Sequence, residues 1–148
     1  SNPFTPAVNL VFALEESLKM MREEGLVKIF KRHQRHKLAV SEAAKTLNLK
    51  LFADEKHLSP SVTAIRIEDI DAENFRKIIK NKYDILLAGG QDHLKGKIFR
   101  VGHLGYVNDR DIISVIAAIG NTLVEQNKIS TDKVGEALKV ASHHLKVT

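Results

Sequence analysis

The sequence predicts an α+β domain: a small, mostly antiparallel sheet of three to four strands covered by helices on one face. Three observations predict it. Apolar residues three and four apart recur near both ends of the chain, and short β-branched runs crowd the middle. Across 148 residues, 43% hydrophobic and 28% charged composition supplies apolar surface for one core. That length allows about one domain.

The first element is an amphipathic helix carrying Ala7, Leu10, Val11, Leu14, Leu18 and Met21 on one stripe, with Pro6 suited to its first turn. Glu23-Glu24-Gly25 interrupts it. A second helical period follows through Leu26, Phe30, His33, Lys37, Val40, Ala44 and Leu47, so Phe30 is expected inside. Leu49 to Phe52 and Val62 to Ile67 read as strands, separated by a charged loop with Ser59-Pro60. Asp71 is placed to cap a helix with Phe75, Ile78 and Ile79, ending near Asn81. Ile85 to Ala88 reads as a strand stopped by Gly89-Gly90, and Ile98 to Leu104 as another. Asn108 with Asp111 three residues on opens a helix burying Ile112, Ile116, Ile119 and Leu123, where Gly120 allows close packing. Ser130 or Thr131 caps a last helix with Val134, Ala137, Leu138, Ala141 and Leu145 in its period.

Composition removes several function classes. The absence of cysteine excludes disulfides, thiolate catalysis and sulfur-ligated zinc, and fits a cytoplasmic protein. No apolar run is long enough to span a bilayer, and the start has no signal-peptide pattern. Ser1-Asn2 reads as a tag scar on a cut chain. A net charge of +5 is a modest excess that suits an anionic ligand.

One residue stands out chemically. In Ile98-Phe99-Arg100-Val101-Gly102 the strand period puts Arg100 on the face opposite Phe99 and Val101, with a glycine on its own side. A guanidinium bordering a cleft can grip a carboxylate or phosphate bidentately, and a solvent-facing strand position is the plainer alternative. Gly89-Gly90-Gln91 resembles a release-factor loop only by a tripeptide, and the glycines read better as positions of positive φ or close backbone approach. His33 and His36 are three apart and His143-His144 adjacent, but no third ligand at matching spacing completes a metal site. In the basic run of Lys28, Lys31, Arg32, Arg35 and Lys37 only Phe30 interleaves, and its period puts it on the buried stripe, so no stacking platform for nucleic acid is expected and a solvated face is.

The run Lys95-Gly-Lys-Ile-Phe-Arg-Val-Gly-His-Leu-Gly105, with Gly89-Gly90 before it and Asp109 to Asp111 after it, resembles the C-terminal small domain of class V aminotransferases. Phe4-Thr-Pro-Ala-Val-Asn-Leu-Val-Phe-Ala-Leu-Glu-Glu-Ser-Leu18 is similar to the segment after the cofactor lysine in the alanine-glyoxylate and serine-pyruvate branch. Leu47 to Phe52 and Ser61 to Ile65 continue the match, and Gly89-Gly-Gln-Asp-His-Leu-Lys-Gly-Lys97 is close to cyanobacterial members labelled soluble hydrogenase subunits.

The resemblance implies a homodimeric, pyridoxal-phosphate-dependent enzyme passing an amino group from an amino acid such as alanine or serine to a 2-oxo acid such as glyoxylate or pyruvate. It implies that Arg100 holds the substrate α-carboxylate, that Thr5 reaches the cofactor phosphate of the partner subunit, and that Gly89 and Gly90 bring backbone past the site. The aromatic hydroxyl that the family often places just before this threonine has no counterpart in Asn2-Pro3-Phe4. The resemblance assigns residues 1–126 to the small domain and leaves residues 127–148 as an extra C-terminal helix. The cofactor lysine and the ring-binding residues belong to an upstream large domain outside this sequence, so no catalytic residue and no metal ligand is expected here. The fragment alone is expected to be inactive. Two alternatives stay open, a free-standing module for a small anion or nucleic acid and an interaction subunit of a redox complex. Without cysteine, nickel or iron–sulfur chemistry has no ligand set in this segment.

Overall fold

A computed structural model describes residues 4–146. Residues Asn2 and Pro3, the Ser1-Asn2 scar and the last two residues of the 127–148 tail lie outside the described residues. The chain divides into two compact units, Ser1–Arg32 and His33–Thr148.

The first unit holds α1 (Val8–Glu24) and the opening turns of α2 (Leu26–Thr46). Gly25 separates the two helices at φ 86°, where a Cβ would be strained. Arg32 grips the Glu24 carboxylate through Nε and Nη2 at 2.7 and 2.9 Å. The apolar stripe of α1 is present but stays in solvent: no α1 residue is buried, and Leu10 is 72% exposed. Phe30, expected inside, is 67% exposed. Burial on α2 begins nearly two turns later, at His36, Ala39 and Val40, because only the later turns of the helix belong to the core-bearing unit.

In the second unit β1 (Lys50–Leu51), β2 (Val62–Arg66), β3 (Ala88–Gly89) and β4 (Ile98–Gly102) form an antiparallel sheet in the order β1-β2-β4-β3. The register pairs Ala64 and Ala88 with Arg100, one on each side of β4. Helices α3 (Ala72–Tyr83), α4 (Asp109–Glu125) and α5 (Thr131–Lys146) complete the unit. The α+β architecture is the one expected.

The caps at Asp71 and Asn108 act as their residue types predict, whereas neither Ser130 nor Thr131 makes a side-chain bond to a described residue at the start of α5. Asp71 accepts from the Asn74 amide, and Asn108 and Asp111 form a reciprocal capping box. Helix α3 runs two residues past Asn81 and stops at Asp84 in the left-handed region. Strand β3 is shorter and later than Ile85 to Ala88: it is a two-residue edge strand that includes Gly89. Phe75 of α3 and Phe99 of β4 meet at 5.3 Å between ring centroids, tying helix to sheet. Gly120 lets α4 approach α5 and the turn that follows α2, since a Cβ there would lie 3.0 Å from Val134 and 3.3 Å from Leu47. Val134, Ala137 and Ala141 of α5 are buried, so residues of the tail add to the core.

Candidate functional site

Arg100 sits mid-strand in β4, half-buried between two fully buried neighbours, Phe99 and Val101. The alternation expected from the sequence therefore holds, and Arg100 projects from the face opposite Phe99. Its cross-strand neighbours are alanines, which crowd a guanidinium least. Two residues on, Gly102 has nothing within 4 Å of where a Cβ would stand, so the same face is open there.

The Arg100 Nε–H donates to the Gly89 carbonyl at 3.0 Å. Its two terminal nitrogens make no hydrogen bond to any described residue. Pinning Nε fixes the plane of the fork and leaves its outer edge, with both Nη groups, for a planar anion.

Gly89 and Gly90 are both needed for close approach rather than for unusual dihedrals, since neither has positive φ. This corrects one of the two reasons the sequence offers for them. A Cβ on Gly89 would stand 2.4 Å from Arg76 Nη1 and 2.6 Å from Glu73 Oε1. One on Gly90 would stand 2.1 Å from the Leu94 carbonyl oxygen. Thr5 is exposed on the segment ahead of α1 and belongs to the first unit, whereas Arg100, Gly89 and Gly90 belong to the second.

Two buried histidines have partners that local spacing does not show. The buried His36 donates Nε2–H to Asp109 Oδ1 at 2.8 Å, and Arg35 reaches the same oxygen at 3.3 Å. Burial of the Asp109 carboxyl works to raise its pKa, but the bonds from His36 and Arg35 outweigh it and hold it below the ordinary value. His103, fully buried just beyond β4, must donate from Nδ1 to the Pro60 carbonyl at 3.1 Å. Its Nε2 then accepts from the Thr63 hydroxyl at 2.9 Å. Burial pushes its pKa down from 6.5 to about 4, so the imidazole is neutral at pH 7. No group of three or more His, Asp or Glu among the described residues could hold a metal ion. No described helix is long and apolar enough to cross a membrane.

Sequence reasoning missed Arg76 and Glu73. Arg76 Nε donates to the Leu87 carbonyl at 2.7 Å, and its Nη1 lies 2.8 Å from each Glu73 carboxylate oxygen. An i, i+3 Glu–Arg pair on a helix usually signals only a solvated face, so nothing local marks it. Both residues also line a shallow surface cavity of about 480 Å³, with Asp71, Lys80 and Leu87, which does not include Arg100.

No family model matches the sequence. The soluble hydrogenase 42 kDa subunit of Anabaena cylindrica is 49% identical over 146 residues, 97% of this chain and 38% of that protein. An uncharacterized aminotransferase of Methanocaldococcus jannaschii is 40% identical over 124 residues, 83% of this chain and 32% of that one. The crystal structure of ureidoglycine-glyoxylate aminotransferase from Bacillus subtilis matches with TM-score 0.86 at 31% identity, over 95% of this chain and 37% of that one. This chain spans about a third of the length of the curated relatives it matches. By sequence and by fold, the chain is thus homologous to the class V aminotransferases and corresponds to the part of them that forms the C-terminal small domain.

Proposed function

We propose that this chain is the substrate-gripping small domain of a pyridoxal-phosphate-dependent aminotransferase. The enzyme moves an amino group between an amino acid, alanine or serine, and a 2-oxo acid, glyoxylate or pyruvate. Arg100 holds the α-carboxylate that both substrates carry. One observation carries this reading: the Arg100 Nε–H is held by the Gly89 carbonyl while its two Nη groups bond to no described residue, on a strand face left open at Gly102. A clamp on the carboxylate fixes the substrate's remaining bonds relative to the cofactor plane, a gain in orientation. The names of relatives support the substrate class, since several are glyoxylate aminotransferases.

The residues present fit a supporting role toward the cofactor. Thr5 offers an exposed hydroxyl as a donor to its phosphate, in the reading where the enzyme is a homodimer and this segment reaches the partner's site. None of the described lysines is buried, so none has the desolvated surroundings of a cofactor-bearing amine. Pyridoxal phosphate, when bound, supplies the electron sink for the chemistry. This chain's residues bind and orient: Arg100 the carboxylate, Thr5 the phosphate, Gly89 and Gly90 a backbone wall. The exposed apolar stripe of α1 agrees with a chain that works as part of a longer polypeptide.

The experiment is a transamination assay with pyridoxal phosphate, alanine and glyoxylate, run on the 148-residue chain and on the full-length protein containing it. Turnover by the longer protein and none by the chain is expected. Tight, steeply salt-dependent binding of single-stranded nucleic acid by the chain would instead favour a free-standing module.

A further inference from the structure

The carboxylate clamp depends on a carbonyl in a weakly held strand. Strand β3 is two residues long and lies at the sheet edge, with β4 alone beside it. Short edge strands are held by few ladder bonds and open readily. Yet the Gly89 carbonyl that orients Arg100 belongs to β3, where its peptide is tied to β4 by the Gly90 amide, which donates to the Ile98 carbonyl at 3.2 Å.

Arg76 supplies a second hold on the strand. From α3 its Nε–H holds the Leu87 carbonyl at 2.7 Å, two residues before Gly89. Its Nη1 is in turn held by both oxygens of Glu73, at 2.8 Å each, which fixes the guanidinium at the base of the strand. The same guanidinium lies so close to Gly89 that a Cβ there would stand 2.4 Å from Nη1 and 3.0 Å from Cζ. Arg76 therefore bonds to the backbone at one end of β3 and packs against it at the other. Its side chain is only partly exposed, with 22% accessibility, so solvent competes little for these bonds.

We propose that Arg76, braced by Glu73, is a positioning residue for Arg100: it fixes the backbone from Leu87 to Gly89 and thereby aims the Arg100 fork. The chain of contacts runs Glu73 to Arg76, Arg76 to Leu87 and Gly89, and Gly89 to Arg100. Arg76 touches no substrate. It also gives Gly89 its reason, since any side chain at 89 displaces the guanidinium that holds the strand. This inference rests on the reading of Arg100 as the carboxylate clamp.

The test has two arms. In the ¹⁵N-labelled 148-residue chain, solvent exchange of the Arg100 Nε–H reports its bond to Gly89, with Arg100→Lys identifying the resonance. Arg76→Gln is expected to speed that exchange about tenfold, Arg76→Lys less, and Glu73→Gln to act in the same direction should Arg76→Gln fail to fold. In the full-length aminotransferase, Arg76→Gln is expected to raise KM for both amino acid and oxo acid about tenfold, with kcat changed far less. An Arg100 Nε–H exchange rate that ignores Arg76→Gln and Glu73→Gln, even with lowered thermal stability, overturns the proposal and leaves Arg76 a purely structural brace. An Arg100→Ala variant with unchanged KM overturns the clamp reading instead. Arg100→Ala raising KM while Arg76→Gln does not would overturn the positioning role and keep the clamp.

Discussion

Arg100 donates its Nε–H to the carbonyl oxygen of Gly89 at 3.0 Å, across the β3–β4 pair. A free arginine side chain samples many rotamers, and immobilising it on a ligand costs conformational entropy. Here part of that loss is taken during folding, before any substrate arrives. The bond also selects which edge of the fork is free and, in the proposed clamp, the direction from which a carboxylate would approach.

The two glycines at 90 and 102 should respond oppositely to alanine. At Gly90 a Cβ meets the Leu94 carbonyl oxygen at 2.1 Å, a backbone atom that cannot swing aside. Gly90→Ala should therefore destabilise the fold by roughly 1–3 kcal/mol in urea unfolding. Gly102→Ala meets nothing within 4 Å and needs no positive φ, so it should be neutral or stabilise by up to about 1 kcal/mol.

The capping box at the start of α4 should be worth a measurable amount. The Asn108 side chain accepts from the Arg110 and Asp111 amides at 2.9 and 3.2 Å, and Asp111 accepts from the Asn108 amide at 2.9 Å. Asn108→Ala removes two of these bonds and should cost about 1 kcal/mol, lowering Tm by roughly 2–4 °C. Asn108→Gly should cost only a few tenths of a kcal/mol.

His103 should make stability fall on mild acidification. Its pKa is near 6.5 unfolded and about 4 in the fold, so below pH 6.5 the unfolded chain takes up a proton that the fold refuses. The stabilisation is complete above pH 6.5 and is lost progressively as pH falls toward 4. Between pH 7.5 and pH 5 the loss should be about 2 kcal/mol by urea unfolding. A His103→Gln variant should show a correspondingly flatter pH profile. Identical slopes for the two proteins would show that His103 is not the responsible group.

What the sequence made legible was whatever depends on near neighbours. Asn108 with Asp111, and Asp71 ahead of Phe75, are cap and helix within a few residues, and the structure builds both. The period-two pattern around Arg100 likewise needs only β4 itself. Phe30 shows the limit, since its helical period is correct but burial depends on which turns of α2 meet the core. The His36–Asp109 bond joins residues 73 apart, and no local spacing announces it. Arg76 is hidden for the same reason: its proposed role runs through the carbonyl of Leu87, eleven residues on, a backbone atom that residue identity does not mark.

Whether Arg100 grips a carboxylate is decided by comparing two amino donors. In the full-length enzyme, kcat/KM for alanine should exceed that for ethylamine, which lacks only the carboxylate, and Arg100→Ala should shrink that ratio by roughly tenfold to a hundredfold or more. The alanine value should fall while the ethylamine value stays nearly constant. A ratio unchanged by Arg100→Ala would show that Arg100 does not bind the carboxylate.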